Sequence, residues 1–399
     1  MPEFTNKSQC TGCTACASVC PQQCIRMVED VEGFTYPKIV NVASCISCGS
    51  CERVCPVLSQ KEEKGSLTRA FAALSKNDSL RMESSSGGVF SELSEIVLKS
   101  GGIIYGASYD KNGSVEHIGV DNMENLGKLR GAKYSQSNLK DSFSTIKKQL
   151  DSGINVLFSG TPCQVGGLKA FLKKDYKNLL CIDFVCHGVP SPLVWKKYVK
   201  YRAKIDNNDN PPGYINLRNK ESGWTNYSYS VEFAYSKGKR YLRKNNEDLF
   251  MNLFVNNYIL RNSCSACHFK GYSRVSDITL GDFWGIWDIN SEMDDNRGTS
   301  LVLIHSVKGE ELFRAASGNI KSSQVTLEQA SMMNPSLLQS SIPQPSRDNV
   351  LRDIIQNGFE TAITIFQSNQ SAKTLLPVKI RRIFSRFKNR KSGVRDNAK

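Results

Sequence analysis

Two runs of cysteine constrain this chain more than any other feature. Cys10-x2-Cys13-x2-Cys16-x3-Cys20-Pro21 is followed by Cys45-x2-Cys48-x2-Cys51-x3-Cys55-Pro56, one spacing used twice. Three thiolates two residues apart wrap one face of an iron-sulfide cube, and the Pro turns the chain so that the fourth Cys of each run reaches the other cube. The spacing therefore predicts two 4Fe-4S clusters, one on Cys10, Cys13, Cys16 and Cys55, the other on Cys45, Cys48, Cys51 and Cys20. Zinc is the rival guest, because CxxC pairs also build zinc knuckles; two identical runs, each closed by Pro, favour the clusters. Between the runs, Ile25, Met27 and Val28 precede Glu32-Gly33, and Tyr36 and Ile39 follow it. That is the pattern of a hairpin covering the clusters with apolar surface. Cys24 stands outside the spacing and reads as a buried thiol.

A chain of 399 residues has room for two or three domains. Its opening, MPEFTNKSQC, is polar and unlike a signal peptide, and no apolar run approaches the roughly 18 residues of a membrane span. The expected setting is the cytoplasm, where fourteen Cys point to metal rather than to disulfides. The net charge of +14 suggests nucleic acid at first sight, but its distribution does not. Residues 379–399 carry nine Lys or Arg and one Asp, whereas the other 378 residues hold 43 basic and 37 acidic side chains. A body so mildly basic speaks against a nucleic-acid partner. In the tail, Ile380, Ile383, Phe384 and Phe387 recur at helical spacing after Pro377, with Arg381, Arg382, Arg386 and Lys388 between them. One reading is a basic amphipathic helix lying on the anionic inner face of a membrane. The other is a solvated tail whose apolar stripe packs on its own domain.

After a polar linker, residues 61–68, Ser84-Ser85-Ser86-Gly87-Gly88 opens a helix through Val89, Phe90, Leu93, Ile96 and Val97. Free N–H groups at such a helix start suit a phosphate, although Ser-Gly is also an ordinary cap. Strands are expected over residues 102–107 and 115–120, then a loop holding Lys133-Tyr134-Ser135-Gln136 and a helix over 139–150. A buried strand over 154–158 runs into Ser159-Gly160-Thr161-Pro162-Cys163-Gln164, a helix over 165–173, and a strand over 179–185 that ends at Cys186-His187-Gly188. Alternating strands and helices indicate an α/β domain with a largely parallel sheet, whose sites gather at the carboxyl ends of its strands. Cys163 and Cys186 both fall there. A hairpin is expected over 227–243, and a helix over 249–260 leads to Cys264-Ser265-Ala266-Cys267. This CxxC fits a zinc half-site, a redox pair or part of a cluster site; with Cys163 and Cys186 it completes the four ligands of a third 4Fe-4S cluster. Cys181 reads as core. Further strands are expected over 277–282 and 301–305, and the stretch to residue 370 reads as helical. His117 and His305 sit in strand patterns as structural residues, whereas His187 and His268 directly follow expected ligands.

The stretches SSSGGVFSEL with GGIIYGASYD, GAKYSQS, GTPCQVGGLK, CHGVPSP and CSACHFKGYSRVSDITLGDFWG together resemble the coenzyme F420 hydrogenase/dehydrogenase β-subunit family. That family includes the deazaflavin-reducing β subunits of methanogen hydrogenases and plant 7-hydroxymethyl chlorophyll a reductase. The resemblance implies FAD, and a 4Fe-4S cluster on Cys163, Cys186, Cys264 and Cys267. It places the flavin against Ser86, Gly87, Gly88, Lys133, Tyr134, Ser135, Thr161 and Gln164. HGVPSP and GDFWG are closer to bacterial relatives found with surface-polysaccharide enzymes than to the methanogen subunits.

The expected fold is an α+β ferredoxin-like N-terminal module (1–60), a linker (61–68), an α/β domain with a mixed, largely parallel sheet, a helical region (336–378) and the basic tail (379–399). The α/β domain divides into a flavin-binding part (69–150) and a part with the third cluster (151–335). The expected function is an iron-sulfur flavoprotein oxidoreductase. Electrons pass from a ferredoxin or redox partner subunit through the clusters to FAD, and on to a small-molecule or glycan-precursor substrate. The alternatives are an electron-transfer subunit without its own substrate and an F420 reductase β subunit. His187 and Lys133 are the candidates for a role in catalysis.

Overall fold

The computed structural model describes residues 7–59, 68–225, 228–365 and 367; the linker apart from Thr68, the end of the helical region and the whole basic tail lie outside them. The cysteine-rich module contains the short helices Ala15–Ser18 and Ser50–Arg53 and a hairpin of β1 (Ile25–Glu29) and β2 (Thr35–Ile39), with Ile25 opposite Ile39. The remaining strands are β3 (Arg69–Ser75), β4 (Ile103–Tyr109), β5 (Val115–Val120), β6 (Val156–Ser159), β7 (Leu179–Phe184), β8 (Tyr214–Asn219), β9 (Ser230–Ala234), β10 (Arg240–Lys244), β11 (Ile278–Asp282), β12 (Ser300–Ile304) and β13 (Ile320–Val325).

Eight of these strands form one sheet in the order β13-β3-β12-β11-β7-β6-β4-β5. β4, β6, β7 and β11 run parallel at its centre, while β5 pairs antiparallel on one side and β12, β3 and β13 follow antiparallel in turn on the other. The inner strands are apolar on both faces, as a sheet covered on two sides demands. Leu157 faces Val89, Leu93 and Val97 of the helix Val89–Lys99. Its neighbours Val156 and Phe158 face the opposite layer, formed by the helices Ser142–Asp151 and Pro162–Leu172. A second sheet, β10-β9-β8, packs with the helices Pro192–Asn207, Leu249–Val255 and Arg347–Asn357 around Trp195, Tyr198 and Phe250. Burying side chains of this size contributes about 1.5–3 kcal/mol each.

β13 corrects the helical reading beyond residue 305. Its sequence, IKSSQV, is half exposed along the sheet edge and lacks the alternation that would mark a strand. β3 also went unread, because RAFAALS places small Ala residues where bulky ones would signal burial.

The cysteine-rich module is seated on the layer with the helix Pro162–Leu172. Cys13, Ala15 and Val54 belong to the same apolar cluster as Phe158, Val165 and Leu168. A Cβ at Gly167 would stand 2.8 Å from Cys13 Cβ, so only glycine lets this helix approach the first cysteine run so closely. At the hairpin tip, the buried Arg347 grips Glu32 with two nitrogens, at 3.1 and 2.9 Å. Among the described residues no helix is long and apolar enough to cross a membrane.

Candidate functional site

The carboxyl ends of β6, β7 and β11 open into a cavity of about 310 Å³, the location that a parallel sheet dictates. Ser86, Gly88, Lys133, Tyr134, Ser135, Thr161 and Gln164 line it. Gly87 does not. A Cβ there would lie 2.6 Å from the Ala73 carbonyl oxygen and 2.7 Å from Ser300 N, so Gly87 lets the turn press against β3 and β12.

Two of these residues are committed to structure. Thr161 caps the helix Pro162–Leu172 in a reciprocal box with Gln164, whose Oε1 accepts from Thr161 N at 3.0 Å. Gln164 Nε2 donates to Ser137 Oγ at 2.9 Å, Ser137 Oγ lies 2.9 Å from His117 Nδ1, and His117 Nε2 is 3.0 Å from the Ser159 carbonyl oxygen. With both ring nitrogens engaged, and burial lowering its pKa to about 4, His117 is a neutral structural residue. Lys133 donates to the carbonyls of Arg130 and Gly131 and lies 5.8 Å from the Tyr109 ring centre; burial lowers its pKa to about 7. Asp183, fully buried on β7 with Oδ2 3.8 Å from Arg274 Nη1, is pushed the other way by burial, up to about 6.

Cys163, Cys186, Cys264 and Cys267 surround a second, smaller cavity together with His187 and Arg261. Burial raises the Cys163 thiol to about 12, and Cys267 and Cys264 push it the same way. Cys186 is raised first by burial and then by Cys264. Val189 N donates to Cys264 Sγ at 3.4 Å, and Lys270 Nζ to the Cys186 carbonyl at 2.6 Å. His187 lines this cavity and not the larger one; its ring lies 2.6 Å from Asn257 Oδ1 and 3.3 Å from Ser336 Oγ. His268 is exposed.

A third cavity is lined by Cys10, Cys13, Cys16 and Cys55 with Met27 of the hairpin. All four Cys are buried, and burial lifts Cys16 to about 12. The other run is open: Cys45 and Cys48 are exposed, and Cys51 and Cys20 are partly so. Cys24 is buried, as expected, and the structure adds its neighbours. Its Sγ lies 3.3 Å from Cys20 Sγ and it also interacts with Cys45, so it belongs to the second cysteine set. Cys181 is core, as expected. Among the described residues no three His, Cys, Asp or Glu side chains converge on a single ion-sized point; the thiols of the first and third sets surround cavities instead. Desolvation opposes thiolates in such places, and a polycationic guest reverses that balance.

Two residues missed in the sequence join these spaces. Thr11 lines all three cavities. Arg261, 1 % exposed, donates from Nε to the Cys10 carbonyl (2.9 Å), from Nη1 to Gln136 Oε1 (2.9 Å) and from Nη2 to the Thr35 carbonyl (3.0 Å), and stands 4.2 Å from the Tyr36 ring centre. An Arg three residues before a Cys pair was a usable signal for it. For Arg218, also in the large cavity, no motif existed.

Residues 154–330 match the family model for the C terminus of the coenzyme F420 hydrogenase/dehydrogenase beta subunit. Residues 9–58 match that of the 4Fe-4S dicluster domain. The chain carries a stretch similar to the 4Fe-4S dicluster domain ahead of one similar to the C terminus of the F420 hydrogenase/dehydrogenase beta subunit. It is thus an iron-sulfur protein of oxidoreductase type, with both cysteine runs inside the dicluster match and Cys163, Cys186, Cys264 and Cys267 inside the β-subunit match. No curated protein matches the chain. Among solved structures, a chain of the xenon-derivatised F420-reducing [NiFe] hydrogenase complex from Methanosarcina barkeri is similar at 16% identity and a TM-score of 0.45. The similarity covers 80% of this chain and 96% of that one, and is too distant to bring function with it.

Proposed function

We propose that the protein is a flavin-dependent iron-sulfur oxidoreductase with three 4Fe-4S sites. Cys10, Cys13, Cys16 and Cys55 hold the first, Cys45, Cys48, Cys51 and Cys20 the second, and Cys163, Cys186, Cys264 and Cys267 the third. FAD occupies the large cavity. The observation that carries this reading is contiguity: Thr11 lines the first-set, third-set and large cavities alike, and Cys163 and Cys186 line both of the latter two. Bound flavin would supply the exchange between the single electrons that clusters carry and the paired electrons of organic substrates.

The residues around the cavity suit such a guest. The helices Val89–Lys99 and Pro162–Leu172 both begin at its wall and turn their positive ends toward it. Ser135 Oγ is buried there without a hydrogen-bond partner, a donor awaiting an acceptor. Lys133 brings a cation whose charge is costly in the empty pocket and favourable beside a phosphate or a reduced ring. The exposed Cys45 and Cys48 make the second site the place where a ferredoxin or partner subunit exchanges electrons, and the substrate is a small molecule or glycan precursor that reaches the large cavity.

The test is a cofactor count on the full chain purified without oxygen. The expected result is about twelve irons, matching sulfide and one FAD per chain. About eight irons without flavin would leave an electron carrier and overturn the proposal.

A further inference from the structure

We propose that Arg218 forms an oxyanion site at one end of the large cavity, and that it takes a carboxylate or phosphate group in a two-pronged grip. The proposal shares its cavity with the flavoprotein reading and rests on that reading only for the identity of the neighbouring occupant.

Arg218 lies on β8 and is 4 % exposed. Its guanidinium is fixed on several sides. Nη1 donates to Asp282 Oδ2 at 2.7 Å, the Tyr229 and Trp284 rings lie 4.1 and 5.1 Å from its central carbon, and Asp282 is itself held by Trp224 Nε1 at 3.2 Å. This clamp uses one nitrogen and leaves the opposite edge. Nε and Nη2 are both buried, and neither has a hydrogen-bond partner among the described residues. These two N–H groups point the same way within the guanidinium plane, and their parallel prongs match the two oxygens of a carboxylate or phosphate.

Folded proteins rarely bury such donors without an acceptor, and here two of them sit side by side on one residue of the cavity wall. Arg218 and Ser135 both line the large cavity, and Ser135 Oγ is a third buried donor without a hydrogen-bond partner among the described residues. Among the described residues no carboxylate pairs with Lys133, which lines the same space and donates only to the carbonyls of Arg130 and Gly131. Asp282 already occupies the other side of Arg218, so its charge orients the guanidinium without filling the free edge. Two adjacent unfilled N–H groups on one guanidinium select an anion over a neutral guest.

Two sources could bring the oxyanion: a phosphate of the flavin, or an acidic group on the substrate. The full chain is purified without oxygen as wild type, R218K and R218M, with iron content and circular dichroism confirming the fold. R218K is the deciding variant, because an ammonium can keep Asp282 paired but cannot present two prongs. Flavin content is measured for each protein, and each is titrated calorimetrically with inorganic pyrophosphate and with malonate. Equal flavin content with anion binding weakened about tenfold or more in R218K supports a substrate oxyanion site. Loss of flavin in R218K and R218M, against a flavin-replete wild type, supports the flavin phosphate as the occupant. Flavin content and anion binding unchanged across the three proteins overturn the proposal, as does a wild type that binds neither anion while the variants keep their flavin. A wild type without flavin would sink the flavoprotein reading alone. The anion titrations would still decide the role of Arg218, with absence of binding overturning it.

Discussion

Replacing Arg261 by Met should lower the reduction potential of the cluster on Cys10, Cys13, Cys16 and Cys55. The guanidinium is buried, bonded to uncharged oxygens of Cys10, Thr35 and Gln136, and joined to no carboxylate among the described residues. A cation so placed needs a counter-charge, and the nearest source is the first cysteine set, since Arg261 pulls the Cys10 thiol downward against the effect of burial. A unit charge at ~5 Å in an effective dielectric of ~20 is worth about 3 kcal/mol. Because a positive charge favours the reduced cluster, losing it should lower the one-electron potential by on the order of 100 mV. Stability should fall as well, by on the order of 2 kcal/mol, since three acceptors lose charge-assisted bonds while the cost of burying the cation is relieved. Redox titration followed by electron paramagnetic resonance, on the full chain as wild type, R261K and R261M, measures the first effect. R261K, which keeps the charge without the three-way grip, should shift less than R261M. An R261M protein with full iron and unshifted potentials would refute the argument that the cluster is the counter-ion.

Three other outcomes follow from the geometry. Gly167→Ala places a methyl 2.8 Å from Cys13 Cβ; it should destabilise by about 1–3 kcal/mol and deplete iron from the first site before the others, and unchanged melting with full iron would show that the two elements are not in contact. Lys133 has its pKa lowered from 10.5 to about 7 by burial. The unfolded chain therefore holds more protons between those values, and stability should rise with pH there by about 1.4 kcal/mol per unit. Lys133→Met removes this dependence, so the variant should be the more stable at pH 7 with an advantage that shrinks toward pH 10; a difference that stays constant between pH 7 and pH 9.5 in urea unfolding would contradict the buried-cation account. Cys24, 3.3 Å from Cys20 Sγ, should substitute as a ligand. C20S should then retain more iron than C48S, and C20S/C24S should lose the second cluster; equal iron in C20S and the double variant would rule this out.

What was legible in the sequence was whatever the chemistry writes as spacing. The cysteine runs announce their clusters because a cube admits few arrangements of ligands along a chain. Strands β4, β6, β7, β11 and β12 were readable because burial on both faces demands apolar runs, and the carboxyl ends of the parallel ones then located Cys163 and Cys186, whereas the flavin candidates came from the family resemblance. The unread parts depend on contacts between distant segments. Arg261 joins residues 10, 35 and 136, and no local pattern encodes such a meeting. Gly87 sat in a motif that suggested a phosphate, yet packing against β3 and β12 sets its role. Cys24 fell outside the repeat because the hairpin, and not the spacing, carries it beside Cys20 and Cys45.

The burial of the cysteine sets gives the proposed electron path a direction in space. The second set is open to solvent at Cys45 and Cys48, the first is buried, and the third forms a wall of the large cavity. Cys16 interacts electrostatically with Cys51 of the second set, and Cys13 with Cys163 of the third, so the first set lies between the other two. An exposed cluster exchanges electrons readily with a partner because little protein intervenes. A buried one is shielded from water, and neighbouring fixed charges such as Arg261 then act on it through a low dielectric with greater effect. The tunable site is therefore the middle one, and Arg261 also touches Gln136 of the loop that lines the large cavity. A change of charge in the first cluster would alter the pull on Arg261, and through Gln136 the position of that loop.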